Sequence, residues 1–176
     1  AGFLGEREAY RVPHINPQSV LIAVMSNFWM PNGWNHLVDM VLHAEQAGFQ
    51  VAIQEMNDMS IMSSSAGLSD AIGHLRSSAA YMALDSGVEW LLMVDTDVLL
   101  EPDTLERLVA WDRPVVFPLL NVLEDKYPWG RLSKPRLEPN IGLQPVSWAA
   151  MSCMLFNVNV FNGLNPYAWH GNDFHF

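Results

Sequence analysis

The sequence predicts an α/β fold in which helices cover both faces of a mostly parallel sheet. Short apolar runs alternate with segments of helical spacing, and the runs are typical of strands buried on both faces. The chain has 176 residues, of which 50% are hydrophobic, enough for one domain with a sizeable core. We therefore predict a single Rossmann-like domain over residues 19–176, preceded by an N-terminal arm over residues 1–18.

The alternation begins with the run SVLIAVMS, residues 19–26, which is the first predicted strand. A helix follows and ends near Gly48, because glycine is the usual residue just after a helix. The apolar face of this helix comprises Trp34, Leu37, Val38, Val41 and Ala44. FQVAIQE, residues 49–55, is the second predicted strand. Ser69 can then cap a second helix that stops near Gly87. The apolar face of that helix comprises Ile72, Leu75, Ala79 and Met82.

The alternation continues with EWLLMVD, residues 89–95, as the third predicted strand. Pro102 suits the first turn of a third helix, and PVVF, residues 114–117, is a fourth short strand. This third helix carries the apolar residues Leu105, Leu108 and Val109. Near the end of the chain, VSWAAMSCMLF, residues 146–156, predicts a further strand. NVNVFNGL, residues 157–164, predicts a short capped helix.

A long segment without periodicity interrupts this order at residues 118–145 and contains five prolines. A loop of this length inside a compact domain is usually functional or disordered. It holds four of the nine basic residues of the chain, which are Lys126, Arg131, Lys134 and Arg136. The loop is therefore either a cationic segment that closes over a ligand or a solvated surface loop.

The charge balance argues against polyanionic partners. Nineteen acidic residues against nine basic ones give a formal charge of −10, which repels nucleic acid and anionic membranes. Cys153 is the single cysteine, so no intrachain disulfide can form. The first 18 residues hold no apolar segment of the signal-peptide type, and no apolar run is long enough to span a bilayer. These features predict a cytoplasmic protein without a membrane span.

The most informative feature is a pair of carboxylates, Asp95 and Asp97, at the end of the third predicted strand. Burying two nearby carboxylates is costly unless something compensates their charge. In an extended chain residues two apart point the same way, with Cα atoms about 7 Å apart, so both could engage one hard cation such as Mg²⁺ or Mn²⁺. The alternative is structural: Asp97 or Glu101 merely caps the next helix, and Asp95 is solvated at the strand end.

Three segments resemble the glycosyltransferases of the GT-A fold, close to the family 2 type. They are the first strand, the stretch SDAIGHLRSSAAYMALDSGVEWLLMVDTDVLLEPDTLERLV, and the late motif SWAAMSCMLFNVNVFNGL with GNDFHF. The resemblance covers residues 19–176. It implies a metal-dependent enzyme that moves a sugar from a nucleotide-sugar, a UDP-sugar in particular, to an acceptor hydroxyl. Its expected cofactor is Mn²⁺ or Mg²⁺.

The resemblance also implies residue roles. Asp95 is expected near the donor ribose and, with Asp97, at the metal ion that bridges the diphosphate. Arg76 is expected to face the nucleotide-sugar. Asp173 corresponds to the catalytic base of an inverting transfer, although Asn172 stands where the family often has Glu. Apart from the resemblance, His170 and His175 lie beside Asp173 in the sequence, and either is a candidate further metal ligand or an ordinary surface histidine. The positions expected to hold the nucleoside are Ser26, Asn27, Glu55 and Asn57.

Two other functions remain open at this point. LLMVDTDVLLEPD also resembles the first motif of haloacid-dehalogenase-like phosphatases, in which Asp95 would be the nucleophile and Asp97 the acid and base. That motif normally opens its domain, whereas about half of this chain precedes it. The other alternative is a sugar-nucleotide-binding domain without turnover.

Overall fold

The computed structural model describes residues 18–26, 32–57, 68–118, 142–146, 148–162 and 173–175. Its strands are β1 (Ser19–Met25), β2 (Gln50–Met56), β3 (Trp90–Asp95), β4 (Val115–Val116), β5 (Trp148–Ala150), β6 (Cys153–Asn157) and β7 (Asp173–His175). Its helices are α1 (Asn32–Gln46), α2 (Leu68–Ser86) and α3 (Thr104–Ala110), and Val158–Phe161 forms a 3₁₀ helix. The predicted α/β class and the first four strands are confirmed.

Five strands form one mixed sheet in the order β2-β1-β3-β6-β4. Strand β1 is parallel to β2 and β3, whereas β6 runs antiparallel to both β3 and β4. Four of the five strands therefore run in the same direction. The carboxyl ends of β1, β2 and β3 meet at one edge of the sheet, which is where ligands usually bind in open α/β sheets.

The single late strand predicted over residues 146–156 is wrong, because the run forms two strands. Strand β5 ends at Ala150 and pairs with β7 in a separate two-stranded sheet, whereas β6 begins at Cys153 in the main sheet. Met151 and Ser152 form the turn between them. The apolar run is continuous along the chain, so its periodicity does not reveal that its two halves have different partners.

The sheet separates two apolar cores. Alternate residues of β1 and β3 bury against α1 and α3 on one face and against α2 on the other, as expected for the two-residue period of strands. The first core includes Ile22, Leu37, Met40, Leu92 and Leu105. The second core includes Leu21, Ala79, Ala83, Met93 and Phe156. Helices thus cover both faces of the sheet, as the alternation of elements predicts.

Helix α1 ends as predicted, since Gly48 follows it with a φ of +96°. Its buried stripe is Leu37, Met40, Val41 and Ala44. The prediction that Val38 belongs to this face is wrong, because its side chain is 47% exposed. The stripe follows the i, i+3, i+4, i+7 pattern from Leu37, and Val38 lies about 100° away from it around the helix.

Helix α2 departs from the predicted pattern at two positions. It begins at Leu68, so Ser69 lies in its first turn rather than at the cap. Met82 is 37% exposed, not buried. The buried face carries small residues, Ala79, Ala80 and Ala83, which let the helix backbone approach the sheet closely. The size of the apolar side chains therefore does not indicate which face of this helix is buried.

Helix α3 buries Leu105, Leu108 and Val109 as predicted, but it starts later than predicted. Asp103 is its N-cap residue, so Pro102 precedes the helix instead of opening its first turn. The short capped helix predicted after β6 is confirmed as the 3₁₀ helix. The Asn157 side chain caps it by accepting a hydrogen bond from the Asn159 backbone N–H at 3.1 Å.

Most of the predicted loop 118–145 lies outside the described residues, and so does the predicted arm except for its last residue, Gln18. Within the described ranges, no helix is long and apolar enough to cross a bilayer.

Candidate functional site

Three strand ends come together at the carboxyl edge of the sheet. Met56, Met25 and Asp95 lie side by side in the register of β2, β1 and β3. Two backbone hydrogen bonds extend this alignment by one residue: the Ser26 N–H donates to the Met56 carbonyl and the Thr96 N–H to the Met25 carbonyl, each at 3.3 Å. The chain therefore leaves all three strands at the same edge, as predicted for a ligand site.

The Asp95 carboxylate lies on the face of the sheet that α2 covers. Leu91 and Met93, which share its side of β3, both belong to the core against α2. The Asp95 side chain is 26% exposed. Its Oδ1 accepts from Nη2 of Arg76 at 3.5 Å, and the Ser152 hydroxyl is a further hydrogen-bond donor to the carboxylate. Arg76 and Ser152 thus bring α2 and the β5–β6 turn to the end of β3.

The pKa of Asp95 is raised from 3.8 to about 6; burial is the largest cause, and the nearby Asp97 charge acts in the same direction. The Arg76 guanidinium and the Ser152 hydroxyl act in the opposite direction, because both stabilise the ionised carboxylate. Their effect is smaller than the cost of burial and repulsion. Two carboxylates, Asp95 and Asp97, thus lie near the single guanidinium of Arg76, and this balance of charged groups favours a bound cation.

Asp97 follows β3 in a turn, not in an extended continuation of the strand. The Val98 N–H donates to the Asp95 carbonyl at 3.2 Å, which places Thr96 and Asp97 at the centre of a β-turn. The extended geometry predicted for the carboxylate pair is therefore wrong. The turn lets Val98 and Leu100 return to the core, and it leaves Asp97 exposed next to the buried Thr96.

The capping alternative for this carboxylate pair does not hold. Neither Asp97 nor Glu101 caps α3, because the N-cap position belongs to Asp103. Glu101 contributes only its backbone carbonyl, which accepts from the Thr104 N–H at 3.0 Å. Asp95 is also not simply solvated, since it is three-quarters buried beside Arg76. The two carboxylates remain available for a ligand role.

The first turn of α1 packs directly against this turn. A Cβ added to Gly33 would lie only 1.9 Å from the Thr96 carbonyl oxygen, so only glycine allows the two backbones to approach so closely. His36 Nδ1 is also 3.2 Å from the Leu100 carbonyl oxygen. This contact is not among the features predicted from the sequence, although a glycine in the first turn of a helix can indicate such a close approach.

The predicted nucleoside-binding positions lie at or near the same edge. Ser26 is half-buried directly after β1, and Asn57 is exposed directly after β2. Glu55 is exposed on β2, where it pairs with Val24. Adjacent strands lie about 5 Å apart, and two strand spacings separate β2 from β3. The Cα atoms of Asn57 and Asp95 are therefore about 10 Å apart. Asn27 lies outside the described residues.

Strand β7 carries Asp173 and His175 in the small sheet. Asp173 pairs with Ala150, and His175 pairs with Trp148, which is further from the β5–β6 turn. The Asp95 N–H donates to the Ser152 carbonyl at 2.9 Å, so only two residue steps separate this contact from Ala150. Standard Cα spacings place the Asp173 backbone within roughly 20 Å of Asp95. The side chains of both predicted residues lie outside what the structure describes.

Cys153 lies beside the site but does not contribute a reactive group. Its side chain is buried at the start of β6, and burial together with the Asp95 charge raises the pKa of the thiol to about 12. The thiol therefore stays protonated at neutral pH, whereas a nucleophile must be a thiolate.

The donor set at this edge fits a hard cation only in part. Two carboxylates supply oxygen ligands, as Mg²⁺ and Mn²⁺ require. Among the described residues, no three His, Cys, Asp or Glu side chains form a group that could hold a metal ion. Further ligands would come from water, from substrate phosphates or from residues beyond the described ranges. In comparisons with known proteins, the chain matches no family model and no curated protein.

Proposed function

We propose that the protein is a metal-dependent glycosyltransferase that uses a nucleotide-sugar donor, with the carboxylate pair Asp95–Asp97 at its centre. The observation that supports this most is the position of Asp95 at the carboxyl edge of parallel strands, with a pKa raised to about 6 by burial and by Asp97. With both carboxylates ionised and only the Arg76 guanidinium beside them, the site has a net negative charge, which favours a divalent cation. A cation that keeps open coordination positions can then take up a diphosphate.

In this proposal Asp95 and Asp97 hold Mn²⁺ or Mg²⁺, and His175 is a candidate further ligand. When bound, the ion would stabilise the negative charge of the departing nucleoside diphosphate as a Lewis acid. Ser26 and Asn57 lie at the same edge and bind the nucleoside, together with Asn27 and Glu55. Arg76 contacts the Asp95 carboxylate and influences the donor site through that residue. A UDP-sugar is the expected donor, and the cytoplasmic location stays a prediction from the sequence.

Asp173 is the proposed general base. Its carboxylate accepts the proton of the acceptor hydroxyl while that oxygen forms a bond to the anomeric carbon of the sugar. The bond from this carbon to the diphosphate oxygen breaks at the same time, which inverts the configuration. One carboxylate within hydrogen-bond reach of the acceptor is sufficient for this task. The pairing of Asp173 with Ala150, close to the turn that contacts Asp95, supports this assignment.

The proposal is tested by thermal shift and calorimetry with a panel of nucleotide-sugars, with and without Mn²⁺. A ligand that binds only the native state raises the melting temperature, and the proposal expects this rise to require the metal. Asp97→Asn should abolish metal-dependent binding and leave the fold intact, because it removes a ligand charge at nearly constant volume. Unchanged affinity of this variant in Mn²⁺ would contradict the metal assignment.

A matched control is Asp112→Asn, which removes the same charge far from the proposed site. Asp112 follows α3 with a φ of +46°, a conformation that asparagine also tolerates, and it precedes β4 at the opposite edge of the sheet. The Asp112→Asn variant should bind the nucleotide-sugar and the metal with the same affinity as the wild type.

Release of free phosphate from a phosphate ester would instead favour the phosphatase alternative. Metal-dependent nucleotide-sugar binding without transfer or hydrolysis would favour the binding domain.

A further inference from the structure

One buried side chain joins the end of β3 to the turn between β5 and β6. Arg76 projects from α2 and is only 3% exposed. Its Nη2 donates to Oδ1 of Asp95 at 3.5 Å and to the backbone carbonyl of Met151 at 3.4 Å. The same nitrogen therefore contacts two segments that are more than 50 residues apart in the chain.

Because the guanidinium of Arg76 is buried, it needs partners inside the protein. An arginine charge removed from water needs a counter-charge and hydrogen-bond acceptors, and Asp95 and the Met151 carbonyl supply both. Ser152 strengthens the same junction. Its carbonyl accepts from the Asp95 N–H at 2.9 Å, and its hydroxyl contacts the Asp95 carboxylate. The β5–β6 turn is thus held to Asp95 by backbone and side-chain contacts together.

This junction contributes to the position of the small sheet, together with Ala149 and Met151, which are buried in the core against α2. Strand β5 ends one residue before Met151, and Ala150 at its end pairs with Asp173 of β7. The small sheet is separate from the five-stranded sheet. The β5–β6 turn connects the two sheets, because it joins β5 to β6 along the chain and is hydrogen-bonded to Asp95. Displacement of this turn would move β7 relative to Asp95.

We propose that Arg76 is a positioning residue: it locks the β5–β6 turn onto Asp95 and thereby sets the distance between the carboxylate edge and strand β7. The importance of β7 rests on the proposed function, because Asp173 is the base assigned there. The lock itself does not depend on it. In this role Arg76 acts through other groups and does not need to touch the sugar or the nucleotide.

Hydrogen exchange of the backbone amides tests the lock in the full chain without any ligand. Arg76→Met keeps an apolar stem but removes both contacts, so amides of residues 148–150 and 173–175 should exchange at least about tenfold faster. The amides of β1 should keep their protection. Arg76→Lys keeps the charge and should restore part of the protection in β5 and β7, because an ammonium nitrogen can donate to both acceptors although its side chain is one bond shorter.

Two controls separate this local effect from general destabilisation. Arg107→Met makes the same substitution at an exposed arginine and should change nothing in β5 or β7. Leu105→Ala opens a cavity in the core on the opposite face of the sheet, so it should lower protection throughout the domain, without selectivity for β5 and β7. If Arg76→Met does not fold, Arg76→Gln carries the same expectation, because its shorter side chain cannot reach both acceptors.

Unchanged exchange in β5 and β7 for a folded Arg76→Met or Arg76→Gln variant would overturn the proposal. So would an increase that is equal in β1 and β7. Where sugar transfer can be measured, Arg76→Met should lower kcat while donor affinity stays near the wild-type value. Loss of donor affinity with normal exchange would assign Arg76 to direct donor contact instead. The absence of any nucleotide-sugar binding in the wild type would contradict the proposed function alone, since the exchange result is independent of it.

Discussion

Gly33 and Thr96 are in backbone contact: a Cβ at Gly33 would lie 1.9 Å from the Thr96 carbonyl oxygen. This contact joins the first turn of α1 to the turn that carries Asp97. A distance so short cannot be relieved by a rotamer change, because the neighbour is backbone and not a flexible side chain. The glycine therefore fixes how close α1 comes to the proposed metal site.

Gly33→Ala should destabilise the protein by about 1–3 kcal/mol, because the new methyl group forces α1 or the Thr96 turn to move. The intrinsic helix preference of alanine acts in the opposite direction and is worth about 1 kcal/mol, so an observed loss would be the net of both effects. Urea unfolding measures this net change in the free energy of unfolding. Asn35→Ala, at an exposed position in the same part of α1, is the control and should be neutral or slightly stabilising. A Gly33→Ala variant more stable than the wild type would contradict the close contact.

The raised pKa of Asp95 predicts a pH dependence of stability with a definite sign. Its pKa is about 6 in the folded protein and 3.8 when unperturbed. Between these values the native state binds more protons than the unfolded state, so the contribution of Asp95 to stability falls as the pH rises from about 4 to about 6. At about 1.4 kcal/mol for each pH unit, the full loss is about 3 kcal/mol.

Relative to the wild type, Asp95→Asn should therefore gain up to about 3 kcal/mol of stability as the pH rises from about 4 to above 6, on top of a loss at all pH values because Arg76 has no anionic partner in the variant. The neutral amide imitates the protonated carboxyl group and cannot ionise. Urea unfolding of both proteins across this pH range measures the difference. Under the proposed function, saturating Mn²⁺ should remove or reverse this relative gain of the variant, because the cation favours the ionised wild-type carboxylate. A relative gain that grows toward low pH would contradict the assigned pKa.

The buried thiol of Cys153 should be unreactive in the native protein. It is 1% exposed, and its pKa of about 12 keeps the nucleophilic thiolate rare at neutral pH. Labelling with a thiol reagent should then proceed only through opening of the structure, at least about 10³-fold more slowly than in denaturant. Rapid labelling without denaturant would show that β6 opens locally. Since Cys153 is the only cysteine, the measurement reports on this strand without ambiguity.

Local patterns predicted much of the sheet and of its ligand edge. The apolar runs located β1 through β4 and placed Asp95, the last residue of β3, at the carboxyl edge; Ser26 and Asn57, which were predicted from the resemblance, directly follow β1 and β2 at the same edge. This worked because the parallel strands place their carboxyl ends together, so that sequence position reports spatial position. The same reasoning located Gly48 at the end of α1, where its positive φ favours glycine.

The contacts that shape the site could not be predicted in the same way. The division of one apolar run into β5 and β6 depends on two different strand partners, and the contacts of Arg76 join segments 19 and 75 residues away. No local periodicity contains such information. Val38 and Met82 were misassigned because apolar character alone does not locate the centre of a helix face. In α2, the residues that pack closest are alanines, which carry little hydrophobic signal.

The assignment of Asp173 as the base gives the most specific prediction for catalysis. It is the only acidic residue after Glu138, and it pairs with Ala150, two residues before Ser152, whose carbonyl accepts from the Asp95 N–H. Asp173→Asn removes the proton acceptor but no ligand of the proposed cation. Donor and metal affinity should therefore stay near the wild-type values, while turnover falls by about 10²- to 10⁴-fold, the usual contribution of general-base catalysis.

Calorimetry with donor and Mn²⁺, together with steady-state transfer assays, separates the possible outcomes for Asp173→Asn. Asp85→Asn is the control, because it removes an exposed carboxylate at the far end of α2 and should change neither quantity. Loss of donor binding would move Asp173 from the base role to the donor or metal site. Full turnover would mean that another group accepts the proton or that the reaction retains configuration. The rate of the variant as a function of pH adds a further criterion: a rate that recovers at high pH, where hydroxide can replace the missing base, would support the assignment.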